Sequence, residues 1–195
     1  MDQQLLKQLA DKRVLVIKGR IDRDTFDFVQ EQILRYKLED SQESINVIID
    51  SQGGDLDSSL LIYDTLILSG IHCETTIHGE CSSAAITVLM AGCNGRSMTK
   101  HSYIRMHSNS ATFEVTITDS SKAVLEKLFE AEIARRKQII KIIAEKTQLS
   151  SEMIEQLTDE GDHGIMIYAP RALELGLVNV VLPGSCINVK SLKKP

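Results

Sequence analysis

The sequence predicts an α/β fold, in which a largely parallel sheet is covered by helices. Short apolar segments of strand length alternate along the chain with longer segments whose apolar residues recur at helical spacing. The crossovers between successive apolar segments are long enough to hold a helix, and such crossovers join parallel strands. Glycine-containing segments follow two consecutive strands, at Gly53-Gly54 and at 79–83. In parallel sheets, functional groups collect at junctions of this kind.

Three pairs of a strand and a helix are predicted in the first half of the chain. The predicted strands span 13–18, 45–50 and 73–78, and the predicted helices span 24–35, 57–68 and 82–90. We expect Gly19 to end the first strand and Gly79 to turn the chain after the third. The third helix is apolar nearly throughout, which predicts that it is buried.

One long helix dominates the second half of the predicted fold. This helix spans 119–146 and follows two short strands within 96–106 and a half-exposed strand over 112–116. A polar loop over 158–164 then leads to a helix at 170–175 and a strand at 177–182. At 1.5 Å per residue the long helix would extend roughly 40 Å, more than a domain of this size covers by itself. We expect it to pack against another subunit. The alternative is that it lies along its own domain.

Composition limits the class of protein. The 195 residues predict a single domain over 1–195, and the net charge of −5 argues against a nucleic-acid partner. No apolar run approaches the roughly 20 residues that span a bilayer, and the first residues carry charge where a signal peptide would be apolar, so a cytoplasmic protein without a membrane partner is predicted. The four cysteines form no CxxC pair, which favours free thiols. The spacing of Cys73, His78 and Cys81 matches no common zinc pattern, so no metal site is predicted.

Two serines, Ser82 and Ser83, lie at the start of the apolar run that forms the third predicted helix. A hydroxyl at the amino end of a helix lies near unpaired backbone N–H groups, which favour developing negative charge. These are the conditions that a serine nucleophile needs. The alternative is that the serines form an ordinary helix cap.

Several blocks of the sequence, taken in order, resemble those of a known family. The blocks are 49–54, 61–66, 79–92, Met106-His107, and Ala172 with 176–178. Over about 12–181 they resemble the signature blocks of the ClpP family, the proteolytic subunits of ATP-dependent Clp proteases. The resemblance implies a ClpP/crotonase-like fold of stacked ββα units, with a handle region over about 108–146 that joins two stacked rings of seven subunits.

The same resemblance implies a serine peptidase site. The family nucleophile lies four residues after the turn glycine, which selects Ser83 over Ser82, and the family base falls on His107 among the five histidines. The imidazole would take the hydroxyl proton as the serine attacks a peptide carbonyl, and would return it to the leaving amine. Backbone N–H groups of Gly54 and Ala84 would hold the oxyanion. Glycine suits the first of these positions because a side chain there would obstruct the substrate.

The acidic member of the triad is the point at which the chain departs from the family. The position usually held by aspartate falls on Gly164, after a loop that is a few residues longer than in the family. This insertion would bring Asp162 to the imidazole instead, with Asp159 and Glu160 as alternatives. Loss of the carboxylate costs about 10⁴ in turnover in a chymotrypsin-type protease, because the imidazole is no longer oriented and stabilised.

The resemblance also implies partners. An AAA+ unfoldase such as ClpX or ClpA would supply ATP hydrolysis, while this chain is predicted to bind no cofactor. Asn46 and Ile48 stand where the family's docking pocket for the unfoldase has tyrosines. The chain begins a few residues before the first predicted strand, from which we expect the family's axial loop to be missing. Gln52 replaces the usual proline beside the two glycines that the substrate approaches.

Three functions follow from these observations. The first is a self-compartmentalised serine endopeptidase that cleaves unfolded proteins or short peptides, with Ser83, His107 and Asp162 as its triad. The second is a catalytically weak or silent ring subunit whose function is assembly. The third is crotonase-type acyl-CoA chemistry, in which the N–H groups of Gly54 and Ala84 would hold a thioester enolate. The presence of both the serine and the histidine favours the first over the third.

Overall fold

The computed structural model describes residues 2–39, 43–107, 121–159 and 164–183. The predicted strand at 112–116 lies outside these residues, as do Glu160, Asp162 and Cys186. The helices are α1 Gln3–Ala10, α2 Arg23–Leu38, α3 Leu56–Leu68, α4 Ala85–Leu89, α5 Ser121–Lys146, α6 Ser151–Asp159 and α7 Ala169–Glu174. The strands are β1 Val14–Ile21, β2 Ile45–Gly54, β3 Cys73–Ser82, β4 Gly95–Thr99, β5 Tyr103–Met106, β6 Ile165–Tyr168 and β7 Val180–Leu182.

The strands form one mixed sheet that is mostly parallel, so the predicted α/β class is confirmed. Strands β1, β2, β3, β4 and β7 are neighbours in that order, and all of these pairs are parallel. Strand β3 has two partners on one side: residues from Glu74 to Ile77 pair with β4, and residues from Glu80 to Ser82 pair with β5. Strand β6 extends the second branch by pairing antiparallel with β5. The far end of β3 therefore lies between β2 and β5.

The prediction that Gly79 turns the chain out of the third strand is wrong. β3 continues through this residue to Ser82, and Gly79, with a φ of 117°, lies where β3 changes its partner from β4 to β5. The N–H of Gly79 donates to the Ser102 hydroxyl at 2.9 Å. A Cβ atom on Gly79 would lie 2.5 Å from Oδ1 of Asp50. The glycine thus permits a bend and a close approach inside a strand.

Other boundaries also differ from those predicted. β1 continues past Gly19 to Ile21 through a shift of register, so this glycine does not end the strand. The helix predicted over 82–90 is only the five-residue α4, because β3 extends as far as Ser82. The polar loop predicted from residue 158 begins later, since α6 ends at Asp159. Three elements, α1, α6 and β6, are not among the predicted helices and strands.

The core lies between the sheet and the helices, and α4 is its most enclosed helix. All five residues of α4 are buried, as its apolar sequence predicts. A buried guanidinium joins the core to the second half of the chain: Arg96 of β4 donates Nε to the carbonyl oxygen of Leu177 at 2.9 Å, and Nη2 to those of Lys146 and Gly176 at 2.8 and 2.9 Å. One side chain therefore ties β4 to the end of α5 and to the segment after α7.

Candidate active site

Ser83 lies in a strained turn between β3 and α4. Its φ of 53° falls in the left-handed region, which residues other than glycine rarely adopt. Its N–H donates to the carbonyl oxygen of Arg105 at 3.1 Å, and its own carbonyl oxygen accepts the N–H of Ile86 at 3.0 Å. Strain of this kind persists only where the surrounding structure fixes it, and it is concentrated at functional sites.

The two adjacent serines have different environments. Ser82 is 0% exposed, and its hydroxyl donates to Oε1 of Glu80 at 2.6 Å. Ser83 is partly exposed and lines an open cleft. The structure thus makes Ser83 the accessible hydroxyl of the pair, which agrees with the choice made from the sequence.

His107 lines the same cleft as Ser83. It follows the last residue of β5, and β5 pairs with the end of β3, so parallel pairing brings the two side chains to one edge of the sheet. Among the described residues that line the cleft, His107 is the one histidine. The apolar lining of the cleft consists mainly of Leu56, Ile86, Ile139, Ile140, Ile143 and Ile154.

The glycine pair after β2 approaches the serine turn in a way that the sequence did not indicate. A Cβ atom on Gly53 would lie 2.5 Å from the carbonyl oxygen of Ser82 and 2.9 Å from both Ser83 Cβ and Ala84 N, so Gly53 packs directly on this turn. A Cβ on Gly54 would instead collide with the backbone of Ile21, lying 2.9 Å from its nitrogen and closer to its oxygen. Glycine at 54 is therefore required by its packing on β1. That a side chain there would also obstruct the substrate stays a prediction.

The groups predicted to hold an oxyanion lie at this junction. In the described part of the chain, the N–H of Ala84 donates no backbone hydrogen bond, whereas that of Ser83 is used by Arg105. Because α4 has only five residues, these local N–H groups contribute more than a helix dipole would. The roles of Gly54 and Ala84 remain predictions.

Gly164, where the family's aspartate would fall, lies against His107. A Cβ atom on this residue would be 2.7 Å from His107 Cα and closer still to its Cβ. The residue that the resemblance aligns with the family's aspartate thus lies beside His107, and as a glycine it supplies no carboxylate. Of the three predicted acids, Asp159 accepts a hydrogen bond from Nη2 of Arg136 at 3.0 Å, while Glu160 and Asp162 lie outside the described residues. The assignment of Asp162 remains a prediction.

Arg136 is a cleft residue that the sequence analysis did not single out. Its Nη2 also donates to the hydroxyl of Thr158 at 3.2 Å, so α5 and the end of α6 are joined at the edge of the cleft. The signal available in the sequence is that Arg136 lies in a basic segment, 135–137, within the long helix, where it interrupts residues of apolar helical spacing. That pattern does not distinguish a cleft residue from an exposed one.

The cysteine nearest the serine turn is inert. Burial raises the pKa of the Cys81 thiol well above its ordinary value, so the thiol stays protonated at neutral pH. The described residues contain no group of three or more histidine, cysteine, aspartate or glutamate side chains that could hold a metal ion. None of the described helices is long and apolar enough to cross a membrane.

The fold and the site together define an α/β protein with a serine and a histidine in one cleft, the arrangement typical of a serine hydrolase. The family model described as Clp protease matches residues 1–184, and the chain belongs to this family. The resemblance found in the sequence is therefore confirmed.

Known relatives agree with this assignment. The chain is 28% identical over 179 residues to "ATP-dependent Clp protease proteolytic subunit 1" of Nocardia farcinica, covering 91% of this chain and 87% of the relative. It is 29% identical over 180 residues to proteolytic subunit 4 of Rhodococcus jostii, covering 91% and 88%. Its structure matches that of a ClpP1 mutant from Listeria monocytogenes with a TM-score of 0.78 and 25% identity, covering 97% of this chain and 99% of the other. The predicted ClpP-like fold is thus confirmed.

Proposed function

We propose that this protein is a serine endopeptidase subunit that hydrolyses peptide bonds of unfolded proteins or short peptides, with Ser83 as nucleophile and His107 as general base. The observation that carries the proposal is the presence of both side chains in one cleft, with the serine in a positive-φ turn. Membership of the Clp protease family supports peptide hydrolysis over the acyl-CoA alternative.

In the proposed reaction, Ser83 and His107 act in two successive steps, acylation and deacylation. His107 accepts the hydroxyl proton as Ser83 Oγ bonds to the peptide carbonyl carbon, and the imidazolium then gives that proton to the departing amine. Water, deprotonated by the same imidazole, next attacks the acyl-enzyme, and the serine regains its proton as the ester bond breaks. The N–H groups of Ala84 and Gly54 are proposed to stabilise the oxyanion in both steps.

A fluorophosphonate probe tests the nucleophile. The assembled protein is expected to be labelled at Ser83, as located by peptide mass spectrometry, and Ser83→Ala to lose the label. Ser82→Ala is the matched control for the site of labelling: because the Ser82 hydroxyl is buried, we expect the label to be located on Ser83 in this variant, whatever the rate at which it forms. A label on another residue, or none on the assembled parent, would refute the peptidase proposal.

A catalytically weak ring subunit is the second candidate, and Gly164 favours it. This residue, which the resemblance aligns with the family's aspartate, packs against His107 and supplies no carboxylate. If no other acid reaches the imidazole, turnover falls by about 10⁴. Comparing peptide turnover with the rate of fluorophosphonate labelling separates the two candidates, since a weak subunit is expected to show slow labelling together with negligible turnover.

We propose that α5 joins this subunit to others in stacked rings of seven. Four of its large apolar side chains are exposed, namely Val124, Leu125, Phe129 and Ile133. An apolar face of this kind on a long helix is typical of a subunit interface. Phe129, at 63% exposure, is the most exposed of them. We expect Phe129→Glu to lower the oligomeric mass seen by analytical ultracentrifugation and Phe129→Leu to preserve it; an unchanged mass for the glutamate variant would contradict this role.

The remaining proposals concern partners and location. We propose that ATP acts only through a separate AAA+ unfoldase, that the chain itself needs no cofactor, and that the protein is cytoplasmic. The names of the relatives, which are ATP-dependent Clp protease subunits, support the first of these. If ATP addition without an unfoldase accelerated protein degradation by the purified chain, the proposal would be wrong.

A further inference from the structure

A polar cluster lies directly behind the serine turn and has no role in the mechanism above. It consists of Glu80 and Ser82 on β3 and Arg105 on β5. The guanidinium Nη2 lies 3.0 Å from Oε1 of Glu80, its Nε lies 3.4 Å from the hydroxyl of Ser82, and that hydroxyl donates to the same Oε1 at 2.6 Å. Each member thus contacts the other two.

Arg105 also holds the backbone of the nucleophile. Its carbonyl oxygen accepts the N–H of Ser83 at 3.1 Å, immediately beyond the last β3–β5 pair, in which Ser82 faces Arg105. Arg105 therefore binds the turn through its main chain, and its side chain contacts Glu80 and Ser82, which precede the turn on β3. Its side chain is about one third exposed, at 32%, and Arg105 is not among the described residues that line the cleft.

The serine turn needs such support because Ser83 has a φ of 53°. A strained conformation relaxes unless several contacts over-determine it. On one side, Gly53 packs on the turn and limits its movement. On the other side, the carbonyl oxygen of Arg105 binds the Ser83 N–H, and Glu80 and Ser82 hold the Arg105 side chain in place.

We propose that Arg105, fixed by Glu80 and Ser82, is a positioning residue that holds Ser83 in its nucleophilic conformation. This inference rests on the proposed peptidase function. Because the guanidinium lies outside the cleft, its loss is expected to slow the attack of Ser83 on a substrate that still binds normally. A displacement of about 1 Å at a reacting group costs about 10²-fold in rate, so a fall of about that size in kcat, with little change in KM, is expected.

The test compares Arg105→Met, Arg105→Lys and Glu80→Gln with the parent. Fluorophosphonate labelling of Ser83 and peptide turnover are both measured. We expect slower labelling and lower kcat with constant KM for Arg105→Met, partial recovery for Arg105→Lys, and an intermediate loss for Glu80→Gln, which keeps an acceptor for Ser82. Arg171→Met is the matched control, since Arg171 forms an exposed ion pair with Glu174 at the same 3.0 Å and is expected to change neither measurement.

The outcomes separate this inference from the proposed function. Labelling of Ser83 in the parent together with unchanged rates in Arg105→Met and Glu80→Gln would overturn the positioning role and leave the peptidase intact. A rise in KM with constant kcat in Arg105→Met would also overturn the positioning role. No labelling of the parent would overturn the peptidase itself. If Arg105→Met does not fold, the labelling rate and kcat of Glu80→Gln and Ser82→Ala test the positioning role, since both variants retain the main-chain bond to Ser83. A fall in both quantities supports the role, and unchanged values overturn it.

Discussion

Gly164 packs directly against His107, with a φ of 72° and no space for a side chain on the face that meets the imidazole-bearing residue. A Cβ atom there would lie 2.7 Å from the Cα of His107, closer than real Cβ atoms come to any such neighbour. Gly164 is the residue that the sequence resemblance aligns with the family's aspartate, and it contributes only backbone beside His107. Any carboxylate for the imidazole has to come from another position.

We expect that an aspartate at position 164 will not improve catalysis. Gly164→Asp should lower stability by about 1–3 kcal/mol or more, because it combines positive-φ strain with overlap on His107 and on the Met106 carbonyl. Gly164→Ala introduces the same overlap without the carboxylate and is the control. Thermal unfolding and peptide turnover measure both effects. Higher turnover in the aspartate variant than in the parent would contradict the steric argument.

The loop acids are expected to differ in their effect on turnover. Asp162→Asn should lower kcat by up to about 10⁴, if this side chain orients the imidazole as predicted. Asp159→Asn should have a small effect, since the carboxylate of Asp159 is exposed and pairs with Arg136, and exposed pairs contribute at most about 1 kcal/mol. Steady-state kinetics of the two variants test the assignment. The reverse order of losses would assign the acid to Asp159.

Gly53 is expected to be essential for activity because it packs on the serine turn. In Gly53→Ala the new methyl group would meet Ser82 O at 2.5 Å and Ser83 Cβ at 2.9 Å, so the turn must move. We expect at least about a 10²-fold loss of fluorophosphonate labelling. Gly70→Ala is the control: Gly70 also has a positive φ, of 72°, but nothing lies within 4 Å of its Cβ position. Equal labelling of the two variants would show that the contact is unimportant.

Buried thiols predict a loss of stability at alkaline pH. Burial raises the pKa of Cys73 from 9.0 to about 12. Between these values the folded protein keeps a proton that the unfolded chain loses, so the free energy of unfolding falls as the pH rises above about 9, and no such effect exists below that pH.

Urea unfolding between pH 7 and 10.5 measures this slope. Cys73→Ala is expected to be less stable throughout but to show a shallower alkaline decline. In the folded protein, iodoacetamide should modify the exposed Cys93 and spare Cys73 and Cys81. An alkaline slope that does not change in Cys73→Ala would assign the decline to other groups.

Arg96 is expected to be a major contributor to stability. Its replacement by methionine leaves three carbonyl acceptors without their donor in a site where the arginine is only 8% exposed. The bond to Leu177 is buried and the other two are partly buried; since each buried group left unpaired costs about 1–3 kcal/mol, a loss of at least that size is predicted. Urea titration measures it, with Arg171→Met, an exposed residue, as the control expected to lose less than about 1 kcal/mol. Similar losses in both would refute the prediction.

Much of the fold could be predicted because the relevant signals are local. The strands at 45–50 and 73–78 and the helix at 57–68 were identified from apolar spacing, which depends only on neighbours along the chain. The errors fall where a tertiary contact overrides a local signal. Gly79 is a typical turn residue, yet pairing of Glu80 with Tyr103 keeps the chain in a strand.

The sequence by itself determined the α/β class, the family, and the choice of Ser83 and His107 as the residues to examine, because ordered motifs at fixed spacing carry that information. Only the tertiary structure decided that Ser82 is buried against Glu80 and Arg105, that Gly53 supports the serine turn, and that Gly164 packs against His107. These relationships join residues that are far apart in the chain, such as Ser82 and Arg105, which are 23 positions apart. Their contacts depend on which strands pair and in what register, and no local pattern of residue types encodes that pairing.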